Sequence, residues 1–242
     1  MDLKNMIVQR KSFRSYTGQS VDDELKQNIV NFCAQVKPLY PDIKVCVEVV
    51  EKQHVRSLCK WIPPEEIVIY SEEKDGWLEN VGFMFQQVDL YLQSIGLGSC
   101  WLGLGKLTGQ KKADGPNGMK FVIMLAFGHT EDALRTDLTQ FNRKNLAEIC
   151  DSADEKLEFA RLAPSSINSQ PWFFTHGEGG EIHVYCSEQG RLRTKTLGYM
   201  NRIDMGIALA HLYVSNPDTF SFFQSDKAGE VKNHAYIGSI KL

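Results

Sequence analysis

The sequence predicts an α+β fold made of two related halves that pack around buried helices. Two observations lead to this prediction. The chain has 242 residues, 43% of them hydrophobic and 24% charged, which is typical of a globular protein with one large domain or two small ones. The order helix, strands, buried helix, strand also occurs twice along the chain. We therefore expect a first half at residues 1–150 and a second half at residues 151–242.

The first half begins with an amphipathic helix and two strands. Residues 22–36 carry acidic side chains in the first turn and apolar side chains at intervals of three and four, which is a helical pattern. The runs at 43–50 and 67–71 are rich in β-branched residues and predict strands. Residues 120–128 form a nearly continuous apolar run, which predicts a strand buried on both faces.

A buried helix is predicted before this last strand. From Gly76 to Ile95, apolar residues cover almost every face of the helix, as expected at the centre of a protein. The segment Gly-Leu-Gly at 96–98 follows, and glycine readily adopts the left-handed conformation that ends many helices. The sequence therefore predicts that the helix ends at residues 96–98.

The second half repeats this order. Its predicted elements are a helix at 155–163 stopped by Pro164, strands at 172–176 and 181–187, a buried helix at 202–214 and a strand at 234–242. When the two buried helices are aligned, Asn80 lies over Asp204 and Gly82 lies over Gly206. This similarity is weak by itself, but the repeated order of elements favours an internal duplication.

Charge and composition exclude several classes of protein. There are 27 lysine and arginine residues against 30 aspartate and glutamate residues, so the whole chain has no basic surface for nucleic acid or an anionic membrane. No run of about 18 apolar residues occurs, and the polar N-terminus does not resemble a signal peptide, so we expect a cytoplasmic protein. The six cysteines and six histidines form no metal-ligand pattern, and we expect no metal site.

A basic segment near the N-terminus is a candidate phosphate site. Arg10, Lys11 and Arg14 surround the hydroxyl of Ser12 in the sequence RKSFRSY. Guanidinium and ammonium groups with a short hydroxyl donor are what a phosphate needs. The alternative is a solvated basic turn.

A polar loop in the second half is a candidate ligand-binding segment. Between Pro164 and Pro171, five short polar side chains crowd into a turn: Ser165, Ser166, Asn168, Ser169 and Gln170. No G-x-S-x-G elbow surrounds either of the first two serines, which argues against a nucleophilic serine. The loop either binds a polar ligand or is a plain connection from helix to strand.

A glycine-rich segment follows the first buried helix. In GLGSCWLGLGK (96–106), Leu104 stands where a P-loop would have lysine, and Trp101 occupies the third glycine position of a dinucleotide fingerprint. The segment either lets backbone N–H groups approach a flat ligand or is a simple helix cap followed by a turn.

Two further basic groups lie outside these motifs. Arg143 and Lys144 precede a short apolar helical segment, and a solvated linker is the default interpretation. Arg191, Arg193 and Lys195 precede the second buried helix, either in a solvated loop or at the mouth of a site.

Together, these segments resemble the flavin-dependent nitroreductase superfamily. RKSFRSY (10–16) is similar to the family's R-R-S-x-R-x-F, and APSSINSQPW (163–172) to its A-P-S-x-x-N-x-Q-P-W. GLGSCWLG (96–103) is similar to G-L-G-x-x-W-x-G, and FGH with FNRKNLAEI (141–149) looks like the closing strand and basic tail. The resemblance covers nearly the whole chain, though not in the family's order.

The distribution of the motifs resembles an internally duplicated subgroup of this superfamily. Typical members carry all the motifs in one chain and form homodimers, with each FMN held between subunits. Here the first half has the basic opening (10–16), the glycine segment (96–103) and the basic tail (141–149). The second half has the polar loop between Pro164 and Pro171, which we call the serine–asparagine loop. The resemblance therefore implies a nitroreductase-like pseudo-dimer in one chain with a single FMN site, acting as a monomer or a weak homodimer.

The resemblance also assigns site residues. The FMN phosphate would be held by Arg10, Lys11, Ser12 and Arg143, with Arg14 at the phosphate or at the N1–C2 carbonyl edge of the ring. The second half would contribute Pro164, Ser165, Ser166 and Asn168. Backbone N–H groups for N5 and O4 would come from Gly103 and Leu104.

The activity implied by the resemblance is a two-step oxidoreduction. NAD(P)H would pass hydride to flavin N5, and a nitroaromatic, quinone or similar flat acceptor would then take the electrons, with protons from water. Trp101, Trp172 or Phe173 would either stack on the acceptor or belong to the core. The alternatives are a protein that senses or carries FMN without reductase activity, and a structural descendant without flavin.

Overall fold

The computed structural model contains six α-helices and ten strands in the residues it describes. It describes residues 3–57, 59–61, 63–108, 115–188 and 191–242, with the backbone alone for 191–197. The helices are α1 (Leu3–Ile7), α2 (Asp23–Cys33), α3 (Trp77–Ser94), α4 (Leu146–Ile149), α5 (Glu158–Arg161) and α6 (Arg191–Ser215). The strands are β1 (Val45–Glu51), β2 (Val55–Arg56), β3 (Glu65–Ser71), β4 (Gly98–Leu102), β5 (Lys106–Leu107), β6 (Lys120–Gly128), β7 (Trp172–His176), β8 (Ile182–Ser187), β9 (Ser221–Phe223) and β10 (His234–Lys241).

Two four-stranded sheets have the same topology. The first sheet has the order β1-β3-β6-β4, and the second has the order β7-β8-β10-β9. All neighbouring strands in both sheets are antiparallel. In each sheet the long helix, α3 or α6, follows the second strand along the chain. The mixed helix and sheet class predicted from the sequence is confirmed.

The two long helices pack against each other at two glycines. A Cβ placed on Gly82 of α3 would lie 2.0 Å from the carbonyl oxygen of Ile203, and one on Gly206 of α6 would lie 2.0 Å from that of Glu79. The contact is reciprocal, because each glycine meets the residue three positions before the other glycine. Only hydrogen fits between these backbones, so the two positions require glycine.

One hydrophobic core includes residues of both halves. It contains Val81 and Val88 of α3, Leu209 and Leu212 of α6, and residues of both large sheets, such as Leu125. All five side chains are fully buried. Burial on several sides explains why apolar residues of α3 occur on more than one face of the helix.

Most predicted elements agree with the structure within a few residues. Strand β6 spans the predicted residues 120–128, and α3 ends before Gly96, which has a φ of +85°. The predicted helix at 155–163 is a single 3-10 turn followed by α5.

Two predictions are corrected. Of the two alternatives for the glycine segment, the simple helix cap followed by a turn is wrong, because Gly98–Leu102 form β4, which pairs with β6. Helix α6 begins at Arg191 rather than at residue 202, so the basic group there belongs to a helix and not to a loop. The side chains of Arg191, Arg193 and Lys195 lie outside the described residues.

Candidate active site

A cleft of two connected cavities lies where the two halves meet. One cavity, the basic cavity, has a volume of about 670 Å³, and the other, which we call the slot, has a volume of about 150 Å³. They share the lining residues Ser12, Arg14, Pro164, Ser165 and Ile167. The first two come from the first half and the others from the second, so the cleft is lined by both.

Five cationic side chains line the basic cavity, together with one carboxylate. The cations are Arg10, Lys11, Arg14, Arg135 and Arg143, and the carboxylate is that of Asp132. The Nζ of Lys11 lies 3.4 Å from the Oδ2 of Asp132, which partly balances this charge. The cavity is therefore strongly positive even though the chain as a whole is slightly acidic.

Arg10 differs from the other cations because it is buried and paired. Its side chain is 1% exposed, and its Nε lies 2.9 Å from the Oδ2 of Asp89 in α3, which is fully buried. Its Nη2 donates to the hydroxyl of Ser12 at 3.4 Å. Asp89 also accepts a hydrogen bond from the hydroxyl of Ser99 at 2.7 Å. Arg10 thus forms part of the cavity wall, and the buried carboxylate of Asp89 balances its charge.

Arg143 and Arg135 approach the cavity from neighbouring loops. The Nε of Arg143 donates to the carbonyl of Ala163 at 2.9 Å, and its Nη1 donates to Oδ1 of Asn168 at 2.8 Å. Arg135 donates to the backbone carbonyl of Arg10. Burial lowers the pKa of both Arg135 and Arg143 to about 10, and the positive charge of Arg10 adds to this effect.

Three guanidinium groups in the basic cavity lack a carboxylate partner. Within the described part of the chain, no acidic side chain lies within ion-pair distance of Arg14, Arg135 or Arg143. Like charges held together raise the energy of one another, and an anion between them relieves it. The arrangement therefore favours an anionic ligand with charge-assisted hydrogen bonds.

The serine–asparagine loop is held in a strained conformation. Ile167, Asn168 and Gln170 have φ values of +48°, +59° and +47°. Such values are uncommon outside glycine, and each costs about 1–3 kcal/mol, most for a β-branched residue such as Ile167. The N–H of Gln170 donates to the hydroxyl of Ser165 at 2.9 Å and helps to hold the loop. Strain of this kind concentrates at binding sites and supports a ligand-binding loop over a plain turn.

Asp204 of α6 holds this loop and also lines the slot. Its two carboxyl oxygens accept from the N–H of Ser166 at 3.1 and 3.0 Å, and the hydroxyl of Ser169 lies 3.5 Å from one of them. Burial raises the pKa of Asp204 to about 8, although these hydrogen bonds oppose the change.

The walls of the slot are mainly apolar. They include Cys100, Trp101, Ile123, Met200, Ile203 and Ile207. The orientation of Trp101 is fixed, because its indole N–H donates to Oε1 of Gln86 at 3.0 Å. At Gly103 a Cβ would lie 3.0 Å from the Cε of Met200, so a side chain there would narrow the slot.

The structure brings most of the predicted residues together. The basic cavity is lined by Arg10, Lys11, Ser12, Arg14, Arg143, Pro164, Ser165 and Asn168, and the slot by Gly103 and Ser166 among others. Leu104 lines neither cavity, and its side chain is 66% exposed. Trp172 and Phe173 also lie outside the lining, and Trp172 is buried in the core.

Several residues that line the cleft have no clear signal in the sequence, and Arg135, Met200 and Asp204 are the most informative of them. Arg135 stands alone in a polar stretch without a motif, so no pattern indicates its role. Met200 precedes the segment predicted as the second buried helix. Asp204 aligns with Asn80, and its acidic side chain in a largely apolar helical segment is the signal that the sequence contains.

Comparison with known proteins identifies the family. A family model described as "Putative TM nitroreductase" matches residues 2–216. The chain belongs to this nitroreductase family. Comparison of this family member with curated proteins gives no match.

Several solved structures that are similar to this chain carry the name nitroreductase or nitroreductase family protein. A crystal structure of a "putative nitroreductase" from Thermotoga maritima MSB8 matches with a TM-score of 0.63 and 21% identity, covering 99% of this chain and 92% of that chain. A nitroreductase with bound FMN from Desulfitobacterium hafniense DCB-2 matches with a TM-score of 0.44 and 17% identity, covering 60% of this chain and 100% of that chain. A nitroreductase family protein from Clostridium novyi NT matches with a TM-score of 0.41 and 16% identity, over 55% and 87%.

The described residues of this nitroreductase-family member offer neither a membrane-spanning helix nor a cluster of metal-binding side chains. No helix among them is long and apolar enough to cross a membrane. No group of three or more His, Cys, Asp or Glu side chains among them is arranged to hold a metal ion.

Proposed function

We propose that the protein is an FMN-dependent oxidoreductase that takes hydride from NAD(P)H and passes electrons to a flat acceptor, such as a nitroaromatic compound or a quinone. The observation that carries this proposal is the set of three unpaired guanidinium groups beside an apolar slot. FMN combines the two parts that such a cleft would hold, a phosphate and a flat ring system. Membership of the nitroreductase family supports the same ligand.

The basic cavity fits the phosphate. A phosphate monoester carries about −1.5 to −2 charges at neutral pH. The guanidinium groups of Arg135 and Arg143, together with the hydroxyl of Ser12 and the ammonium of Lys11, offer charge-assisted and neutral hydrogen bonds on several sides. Arg10 would contribute its remaining N–H donors from the wall while Asp89 keeps its charge balanced.

The slot fits the flat ring. Its apolar walls would bury the ring, and Gly103 lines the slot without a side chain that would narrow it. Arg14 lines both cavities and would stabilise negative charge at the N1–C2 edge of the reduced ring. When bound, FMN supplies the hydride and electron transfer, while the protein binds it, orients it and limits the access of water.

We also propose one FMN per chain and a degenerate duplication with halves at 1–150 and 151–242. The identical strand order of the two sheets supports the duplication. In the first half, the ring of Tyr40 packs against Gly76 of the segment that precedes α3, where a Cβ would lie 2.5 Å from the ring. The cavity beside it is lined by Glu73, Lys74, Asp75, Gly76, Trp77, Leu78, Glu79 and Arg202, an acidic set that disfavours a phosphate.

The first experiment measures flavin in protein purified without added cofactor. We expect a yellow protein with the visible spectrum of oxidised flavin and one flavin per chain. Arg135→Gln should raise the Kd for FMN about ten- to a hundredfold, because it removes a hydrogen bond to a charged group worth about 1.5–3 kcal/mol. Arg56→Gln is the matched control, since Arg56 is exposed on β2 and lines neither cavity. No flavin binding after reconstitution with excess FMN would overturn the proposal.

A flavin carrier or sensor is the second candidate function. The slot has a volume of about 150 Å³, so a flavin ring in it would leave little space for a second flat molecule. Anaerobic addition of NADPH or NADH separates the two functions. A reductase loses its yellow colour and regains it when a quinone is added, whereas a carrier keeps its colour throughout.

A further inference from the structure

Asn80 of α3 and Asp204 of α6 stand at corresponding positions, and each accepts hydrogen bonds from the backbone of a loop. Each stands two residues before the glycine of the helix contact. Oδ1 of Asn80 accepts from the N–H groups of Leu39 and Tyr40, both at 2.9 Å. The carboxyl of Asp204 accepts from the N–H of Ser166 at 3.1 and 3.0 Å. Both side chains are buried, and both fix the loop that precedes the first strand of their sheet.

The surroundings of the two residues differ. Asn80 lies under the loop that carries Tyr40 and lines neither cavity of the cleft. Asp204 lines the slot. The first half therefore shows that an amide is sufficient to hold such a loop. In the second half, whose serine–asparagine loop lines the cleft, the corresponding residue is Asp204 and has a carboxyl group. A carboxyl group can release a proton, whereas an amide cannot.

Asp204 is set up to carry a proton at neutral pH. It is 4% exposed, and burial raises its pKa to about 8. The charged and titratable groups on neighbouring elements do not cancel this effect. Arg202, on the same helix, is paired with Glu79 of α3. The thiol of Cys186 on β8 stays neutral because burial raises its pKa to about 12, and Arg14 lines the slot from the opposite half.

We propose that Asp204 is the proton donor of the slot. This inference rests on the proposed oxidoreductase function. Reduction of a quinone to a hydroquinone consumes two electrons and two protons, and hydride from a reduced nicotinamide accounts for both electrons and one proton. Asp204 supplies the second proton: its carboxyl O–H bond breaks as the O–H bond of the product forms. Solvent then returns a proton to the carboxylate when the product has left the slot.

The test uses Asp204→Asn in the FMN-loaded protein, with Asn80→Asp as the matched control. Since an amide holds the corresponding loop of the first half, Asp204→Asn should fold and bind FMN with the wild-type Kd. Anaerobic reduction by NADPH or NADH should be unchanged, because hydride transfer to FMN consumes no proton from the slot. Quinone reduction should fall about a hundredfold, within the range of general-acid catalysis.

The pH dependence gives a second measurement. In the wild type, quinone reduction should decrease as the pH rises through about 8, where Asp204 loses its proton. In Asp204→Asn this decrease should be absent, while Asn80→Asp should keep the wild-type profile. Infrared spectra of the flavin-free protein test protonation directly: a carboxylic acid C=O band present at neutral pH in the wild type should be missing in Asp204→Asn.

The outcomes separate this inference from the proposed function. Equal quinone reduction and equal pH profiles in the wild type and Asp204→Asn would overturn the role of Asp204 and leave the oxidoreductase function intact. A wild type that binds no flavin would overturn both. If Asp204→Asn does not fold, the wild-type profile decides, and a rate that does not change with pH around 8 overturns the proposal.

Discussion

Replacement of Arg10 by methionine removes the partner of a buried carboxylate. Arg10 and Asp89 are 1% and 0% exposed, and their charged groups lie 2.9 Å apart. Breaking a buried pair by removing one partner costs about 3–5 kcal/mol. Asp89 keeps hydrogen bonds from Ser99 at 2.7 Å and Gln86 at 3.1 Å, so we expect a loss near the lower end, about 3 kcal/mol of unfolding free energy.

Urea denaturation at pH 7 measures this loss, with the double variant Arg10→Met/Asp89→Asn as the control. The double variant removes both charges together and should recover most of the stability, because no unpaired charge stays buried. A value for Arg10→Met within about 0.5 kcal/mol of the wild type, the range of an ordinary surface substitution, would refute the reasoning. It would mean that Asp89 is stabilised by its hydrogen bonds alone.

Two further predictions concern regions away from the cleft. The hydrogen bond to Asp151 raises the pKa of His176. Burial of the ring opposes this change, and the hydrogen bond to Asp154 adds to it. Protonated His176 therefore stabilises the fold below its unfolded pKa of about 6.5, and this stability is lost as the pH rises through the folded pKa. The melting temperature of His176→Gln should depend less on pH than that of the wild type in the range above about pH 6.5. An unchanged pH dependence would contradict the raised pKa of His176. Gly206→Ala should destabilise the protein by about 3 kcal/mol through overpacking, whereas Gly229→Ala, with open space around it, should be neutral in urea denaturation. A stable Gly206→Ala would show that α3 and α6 can separate.

The elements that were predicted well are those with a local signal. The apolar run of β6 and the apolar faces of α3 are visible in single segments of sequence. Strand β4 was missed because its first residue is a glycine and its assignment depends on pairing with β6, a contact between distant segments. The early start of α6 was missed because the residues before 202 show no helical pattern of apolar side chains.

The cleft was predicted in outline but not in its electrostatics. The motif residues of both halves indicated a phosphate beside a polar loop, and Ser12 and Ser165 do line the same cavity. The pairing of Arg10 with Asp89 could not be predicted, because the two residues lie in segments with no shared pattern. Arg135 was missed for the same reason, since a lone arginine in a polar stretch is usually a solvated side chain.

The glycine contact between α3 and α6 prevents the two helices from sliding along each other. A slip of one helix by a single turn would move Met200 and Asp204 by about 5.4 Å relative to the wall that carries Trp101. The backbones meet too closely at Gly82 and Gly206 for such a slip. The spacing of the slot therefore depends on two glycines that line neither cavity, and changes in the loops could widen or close the slot without altering the contact between the two helices.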